Sequence, residues 1–192
     1  VTSTKKALIV TDLPFGSYES SPEQALETAV RFFKEAGAQA VKLEGGVKVV
    51  PQIKKLIGAG IPVMGHLGLT PQSVNALGGF KVQGRGADRE KIISDALALQ
   101  EAGIFALVVE LVPADLGKEL SEKLTIPVIG IGAGKDCDAQ VLVWTDLMGL
   151  TKSAPKLAKA YRNLRSEMAE AAKEWASDVK SGEFPGPEQS FN

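Results

Sequence analysis

The stretch that decides the fold runs from Ser21 to Gly46, SPEQALETAVRFFKEAGAQAVKLEGG. Its first part reads as an amphipathic helix over Pro22–Ala36. Ser21 stands as a candidate N-cap, Pro22 falls at the first helical position and Gly37 lies just past the end. A short apolar run, Ala38–Gly46, follows with almost no connection and reads as a strand. The same punctuation recurs at Glu101-Ala102-Gly103, which repeats Glu35-Ala36-Gly37, and at Gly58-Ala59-Gly60. Each time a helix stops at a glycine and a strand begins.

Working outward, strand-like runs are expected at Ala7–Pro14, Ile61–Thr70, Phe105–Pro113, Ile126–Gly134 and Gln140–Leu147. They are near-continuous in Val, Ile, Leu and Ala, as parallel strands buried on both faces are. Helices are expected at Val49–Ala59, Ala87–Ala102 and Ala114–Leu124, with a long charged one from about Ala154 to Lys180. Repeated strand–helix units at this spacing mean an α/β fold with a parallel sheet, either a closed (β/α)₈ barrel or an open doubly wound one. No linker-like stretch divides the chain, so one domain over 1–192 is expected, with an irregular tail over Phe184–Asn192.

Composition agrees with this and excludes other classes. With 44% hydrophobic and 23% charged residues, 192 residues can bury one sizeable core. A formal net charge of −1, with no basic stripe, gives no reason to expect nucleic acid. Cys137 is the only cysteine, so no intrachain disulfide forms, which suits a reducing compartment. No apolar run is long enough to span a bilayer, and no signal-peptide pattern opens the chain. The sequence starts with Val1 rather than Met, which points to a removed segment or to a longer parent chain.

Ionisable residues gather at the ends of the strands. Asp12 closes the first, Lys42 and Glu44 the second, His66 the third and Glu110 the fourth. Side chains alternate along a strand, so Lys42 and Glu44 share a face opposite Val41 and Leu43. The apolar pair belongs beneath the helices, which turns Lys42 and Glu44 inward. Taken singly, a Lys-x-Glu in a strand is more often an interior ion pair, a strand-end Asp a turn former, and an isolated His a satisfied core residue. Four strands that deliver such groups to one rim are harder to dismiss, because burying them unpaired costs several kcal/mol each. Active sites of both candidate folds lie at strand C-termini. Asp12 and Glu44 offer hard oxygen ligands that suit Mg²⁺, while one histidine and one cysteine argue against zinc. Gly130-Ile131-Gly132-Ala133-Gly134 lacks the helix and acidic residue of a dinucleotide site and reads as a tightly turning loop.

Longer strings carry a resemblance. Thr11-Asp12-Leu13-Pro14-Phe15, Val41–Gly46, Gly65–Ser73, Gly78–Arg85, Val109–Pro113 and Ile129–Gly134 are similar, in order, to ketopantoate hydroxymethyltransferases. The His66–Ser73 and Gly78–Arg85 runs are the most specific. The resemblance implies a (β/α)₈ barrel of the phosphoenolpyruvate/pyruvate type that uses Mg²⁺ and, as co-substrate, 5,10-methylenetetrahydrofolate. It implies conversion of α-ketoisovalerate to ketopantoate, on the route to pantothenate and coenzyme A. By the same resemblance, Asp12 is a Mg²⁺ ligand that borders the keto acid and Glu44 the second acid serving the metal. Lys42 contacts the keto acid, Glu110 is the general base, and His66 lies against the substrate. The family further implies a homo-oligomer, a decamer, and a cytoplasmic location, or a mitochondrial one in a eukaryote.

The chain also departs from the family. Family members carry roughly two further strand–helix units before the strand ending in Asp12, out of eight in the barrel. Those units hold a Gly-Asp-Ser segment with another metal-binding aspartate, and nothing here matches it. About six strands are therefore expected, in an open barrel with two exposed edges. Ala139, Thr145 and Leu111 stand where the family usually has Gly, His and often Cys. The competing readings are a Mg²⁺-dependent lyase or mutase of the phosphoenolpyruvate type and a non-catalytic or split-enzyme fragment.

Overall fold

A computed structural model describes residues 4–191. Six strands lie in it: β1 (Val10–Asp12), β2 (Ala40–Glu44), β3 (Val63–Gly68), β4 (Ala106–Glu110), β5 (Val128–Ile131) and β6 (Ala139–Gln140). They form one sheet in the order β1-β2-β3-β4-β5-β6, and every neighbouring pair is parallel. This order settles the choice left open by the sequence. A doubly wound sheet reverses its strand order at a switch point, whereas here every crossover steps the same way, which is the winding of a (β/α) barrel. β1 and β6 each pair on one side only, so the barrel is open.

The crossovers are helices whose ends the sequence marks. α1 (Pro22–Ala36) begins where the Ser21 side chain accepts a hydrogen bond from the Gln24 N–H at 3.1 Å, and it ends at Gly37, whose N–H donates to the Phe32 carbonyl. Ser21→Ala removes that cap and should lower unfolding free energy by about 1 kcal/mol in urea titration. An unchanged midpoint would show that the cap contributes nothing. A 3₁₀ turn, Val47–Val49, leads into α2 (Val50–Gly58), and α3 (Asp88–Glu101) and α4 (Ala114–Lys123) complete the set. They bury Ala25 and Ala29, Ile53 and Leu56, Ile92 and Leu99, and Leu116 and Leu120. These meet Val41, Leu43, Val63, Leu107, Val109 and Val128 of the strands in one core. Each large apolar side chain so buried contributes roughly 1.5–3 kcal/mol.

The ladder fixes which residues turn the other way. Lys42 pairs with Met64, Glu44 with His66, and Gly68 with Glu110. Register partners in a sheet share a face, so Lys42, Glu44, His66 and Glu110 lie opposite the helix-packed Val41 and Leu43.

Three sequence expectations need correction. The last strand, expected over Gln140–Leu147, is only Ala139–Gln140, and Trp144–Leu147 is a short helix, α5. The Val141 N–H still reaches the Gly130 carbonyl, but among the described residues no strand pairs with the far side of β6. Beyond it, Leu147 and Met148 bond locally back to Val143 and Trp144. The first strand shrinks for the same edge reason, from Ala7–Pro14 to Val10–Asp12. The charged helix starts at Leu164 rather than near Ala154, because the preceding residues bond elsewhere: Ala158 turns back to the Pro155 carbonyl, and the Tyr161 and Leu164 N–H groups donate to the Leu147 and Met148 carbonyls. This helix, α6 (Leu164–Ser181), buries none of its residues. The tail over Phe184–Asn192 contains a 3₁₀ turn at Pro187–Gln189, and Asn192 falls outside the described residues.

The chain forms two compact units, one ending at Val141 and one beginning at Leu142. The first holds the whole sheet and α1–α4. In the second, the Asp146 carboxylate accepts from the Thr151 hydroxyl at 2.5 Å, and the Tyr161 N–H donates to the Leu147 carbonyl. Among the described residues, no helix is long and apolar enough to cross a membrane.

Candidate active site

Four consecutive strands end in ionisable side chains, and these side chains touch. The Lys42 ammonium lies 2.6 Å from Asp12 Oδ1 on β1 and 3.4 Å from His66 Nδ1 on β3. His66 Nδ1 is 3.6 Å from Glu44 Oε1, and on its other edge Nε2 is 3.2 Å from Glu110 Oε2 on β4. All five residues that the sequence singled out therefore belong to one connected cluster. It runs from open to enclosed: the Asp12 side chain is 59% exposed, Lys42 17%, Glu110 15%, Glu44 7% and His66 4%.

Which His66 nitrogen carries the hydrogen depends on the tautomer; the form that accepts from the Lys42 ammonium at Nδ1 carries it on Nε2, facing Glu110. That donor is close to the Glu110 carboxylate but off line, and it has no aligned partner. An unsatisfied buried donor beside a carboxylate is what an incoming oxygen ligand would complete. Burial pushes the Glu44 carboxyl up from its ordinary range. His66, the Gln72 N–H and Lys42 pull it back, and the charge of Asp12 raises it further.

A divalent cation between Asp12 and Glu44 would relieve both that burial and that repulsion. Mg²⁺ is usually held by one or two carboxylates, with waters and substrate oxygens filling the remaining positions. The rim carries three carboxylates, but no grouping of three or more His, Cys, Asp or Glu suited to a metal occurs among the described residues, so at most two of them, Asp12 and Glu44, are left to serve the cation. The donor set fits Mg²⁺ to that extent and does not fit a caged structural metal.

Behind the rim lies a layer that sequence reading missed. Gln72, in the 3₁₀ turn Pro71–Ser73 after β3, donates from its main-chain N–H to Glu44 Oε2 at 3.0 Å. Its side-chain amide donates to the Leu13 carbonyl at 2.9 Å and accepts from the Tyr18 hydroxyl at 2.8 Å. The Tyr18 hydroxyl in turn accepts from the Glu44 N–H at 3.3 Å, and Gln52 donates to the Tyr18 carbonyl at 3.2 Å. Burial pushes the Tyr18 phenol up to about 12, so it stays a neutral donor. The available signal was position: Tyr18 and Gln72 sit in the loops that follow strand C-termini, where scaffolds carry their working residues.

The backbone around Glu110 is equally tight. Gly68 has φ 87°, and a Cβ there would stand 2.1 Å from the Glu110 carbonyl oxygen. Leu111, the next residue, takes φ 50°, which a leucine adopts only under constraint. Its N–H donates to the Ile131 carbonyl at 2.8 Å, and its own carbonyl accepts from the Gln83 N–H at 2.9 Å. Beside these strand ends lies a cavity of about 460 Å³, bounded by Gly45, Gly46, Leu67, Gly68, Lys91 and Asp95 among others. None of the five rim residues lines it. The chemistry is placed by the charged cluster and not by the void.

A singly wound parallel α/β sheet with acids, a lysine and a histidine converging on its C-terminal rim defines the barrel-enzyme class of scaffold. The particular family comes from comparison. Residues 1–187 match the family model for ketopantoate hydroxymethyltransferase, and the chain belongs to that family. It is 55% identical over 190 residues to the 3-methyl-2-oxobutanoate hydroxymethyltransferase of Nocardioides sp. (strain JS614), covering 98% of this chain and 64% of the relative. The enzymes of the same name from Acidothermus cellulolyticus and Thermobifida fusca are 58% and 56% identical, with 70% and 68% of their lengths covered. The chain thus spans about two thirds of the length of these curated relatives. Among solved structures, an isomerase from Streptomyces coelicolor A3(2) aligns with a TM-score of 0.42 at 20% identity, over 64% of this chain and 32% of its own. So distant a likeness leaves the family to rest on the sequence.

Proposed function

We propose that the chain carries out hydroxymethyl transfer from 5,10-methylenetetrahydrofolate to α-ketoisovalerate, forming ketopantoate for pantothenate and coenzyme A biosynthesis. The observation that carries this reading is the connected cluster Asp12–Lys42–His66–Glu110, with Glu44 beside His66, in a chain of this family. The names of relatives that are 55–58% identical support it.

Asp12 and Glu44 would hold Mg²⁺, which when bound supplies Lewis acidity toward the keto acid's oxygens. Lys42 shares its ammonium with Asp12 in the free chain and would turn to the keto acid, countering negative charge that develops on its carbonyl oxygen. Glu110, partly exposed at the end of β4, takes the C3 proton. The His66 ring edge lies 3.2 Å from the same carboxylate and would border the keto acid there. Water adds at the methylene carbon of the folate and breaks its bonds to nitrogen, releasing tetrahydrofolate and a one-carbon unit at the formaldehyde level; the enolate carbon bonds to that unit, and the proton held by Glu110 returns to the new alkoxide, giving the hydroxyl. We further propose a cytoplasmic enzyme that works as a homo-oligomer, in keeping with the family.

Incubation of the protein with α-ketoisovalerate, methylenetetrahydrofolate and Mg²⁺ tests the reading. Ketopantoate should form, and omission of any one component should stop it. Keto-acid turnover that continues without folate would instead mark a lyase or mutase, and no ketopantoate under any condition would end the proposal.

A further inference from the structure

We infer that Tyr18 and Gln72 are a positioning pair that pins one oxygen of the Glu44 carboxylate and leaves the other facing the rim. The inference rests on the reading of Glu44 as an acid that serves the metal. The geometry is specific about which oxygen is taken. Gln72 N–H donates to Glu44 Oε2, while Oε1 remains on the side of His66, 3.6 Å from Nδ1. A carboxylate with both oxygens free can rotate about its last torsion, which is broad and roughly two-fold. One with Oε2 engaged offers a single oxygen in a single direction.

Gln72 can act this way only if its own main chain is held, and its side chain supplies the hold. The amide bonds at once to the Leu13 carbonyl just beyond β1 and to the Tyr18 hydroxyl in the loop before α1. That hydroxyl closes the circuit on the Glu44 N–H. Both ends of Glu44, main chain and carboxylate, are thus fixed by two residues 54 positions apart in sequence. Tyr18 is 2% exposed and Glu44 8%, so water does not compete for these bonds. The loops after β1 and β3, on either side of β2, converge on one acid. A purely structural staple would need to join the loops but would not need to end on the carboxylate oxygen itself.

Two isosteric variants test the pair. Tyr18→Phe deletes the hydroxyl alone, and Gln72→Met removes both side-chain bonds but keeps the main-chain N–H. In each, hydrogen–deuterium exchange of the Gln72 amide should quicken roughly tenfold. Mg²⁺ affinity in the presence of α-ketoisovalerate, read by titration calorimetry, should fall about five- to tenfold, the change expected from one ordinary net hydrogen bond. The double variant should lose no more than either single, because the two side chains act as one unit. Quickened exchange with wild-type Mg²⁺ affinity would reduce the pair to a loop staple and overturn the inference. So would unchanged exchange in both variants. Should the unmodified protein take up no Mg²⁺, the reading of Glu44 as a metal acid fails. The amide measurement needs no ligand and then decides alone whether the pair holds the carboxylate.

Discussion

Glu110→Gln is expected to slow C3 proton–deuterium exchange of α-ketoisovalerate by about 10²–10⁴-fold, the range a positioned general base contributes, while keto-acid binding stays measurable. The substitution keeps the shape of the side chain at the end of β4 and removes only its capacity to take a proton. Binding should survive because the residues proposed to hold the keto acid, Asp12 and Lys42, stand on other strands and pair with each other at 2.6 Å. The exchange reaction isolates proton removal from the folate step, so the loss cannot be blamed on the one-carbon donor. Undiminished exchange would strip Glu110 of the role and turn attention to His66 beside it.

The second large effect comes from a residue with no side chain. Gly68→Ala should destabilise the protein by roughly 3 kcal/mol or more, within the range of severe single substitutions, and should sharply lower kcat. Gly16→Ala is the matched control. Both glycines have nearly the same backbone angle, φ 87° and 85°, so both variants bear the penalty of a Cβ at positive φ, about 1–2 kcal/mol. A Cβ at Gly16 meets nothing within 4 Å, whereas one at Gly68 meets the Glu110 carbonyl oxygen at 2.1 Å. That oxygen also accepts the Leu69 N–H at 2.8 Å, so the collision breaks a ladder bond and moves the base. Urea midpoints and kcat for the two variants give the difference. Equal effects at both sites would mean that backbone angle, and not contact with Glu110, governs position 68.

Much of this architecture is legible in the chain, and the physics says which part. The limits of α1 are readable because Ser21, Pro22 and Gly37 act locally, within a turn of where they stand. The facing of Lys42 and Glu44 follows from strand alternation against Val41 and Leu43, again a local rule. The gathering of Asp12, His66 and Glu110 around them needed the barrel winding, which the repeated helix-then-glycine signal implied. What stayed hidden depends on partners far along the chain. Val141 and Val143 look like strand residues, yet among the described residues β6 lacks a second neighbour and both remain about half exposed. Tyr18 and Gln72 look like ordinary loop residues until the fold brings them together. The start of α6 at Leu164 is hidden for the same reason, since the Tyr161 and Leu164 N–H groups are taken by the Leu147 and Met148 carbonyls.

The ladder pairing of Glu44 with His66 and of Asp12 with Lys42 has a consequence for how the chain reaches its native state. A slip of one residue between β2 and its neighbours would swing Lys42 and Glu44 beneath the helices, among leucines and valines, and expose Val41 and Leu43 to water. Interring two unmatched charges would cost several kcal/mol each. The side chains that build the candidate site therefore also oppose a slipped register.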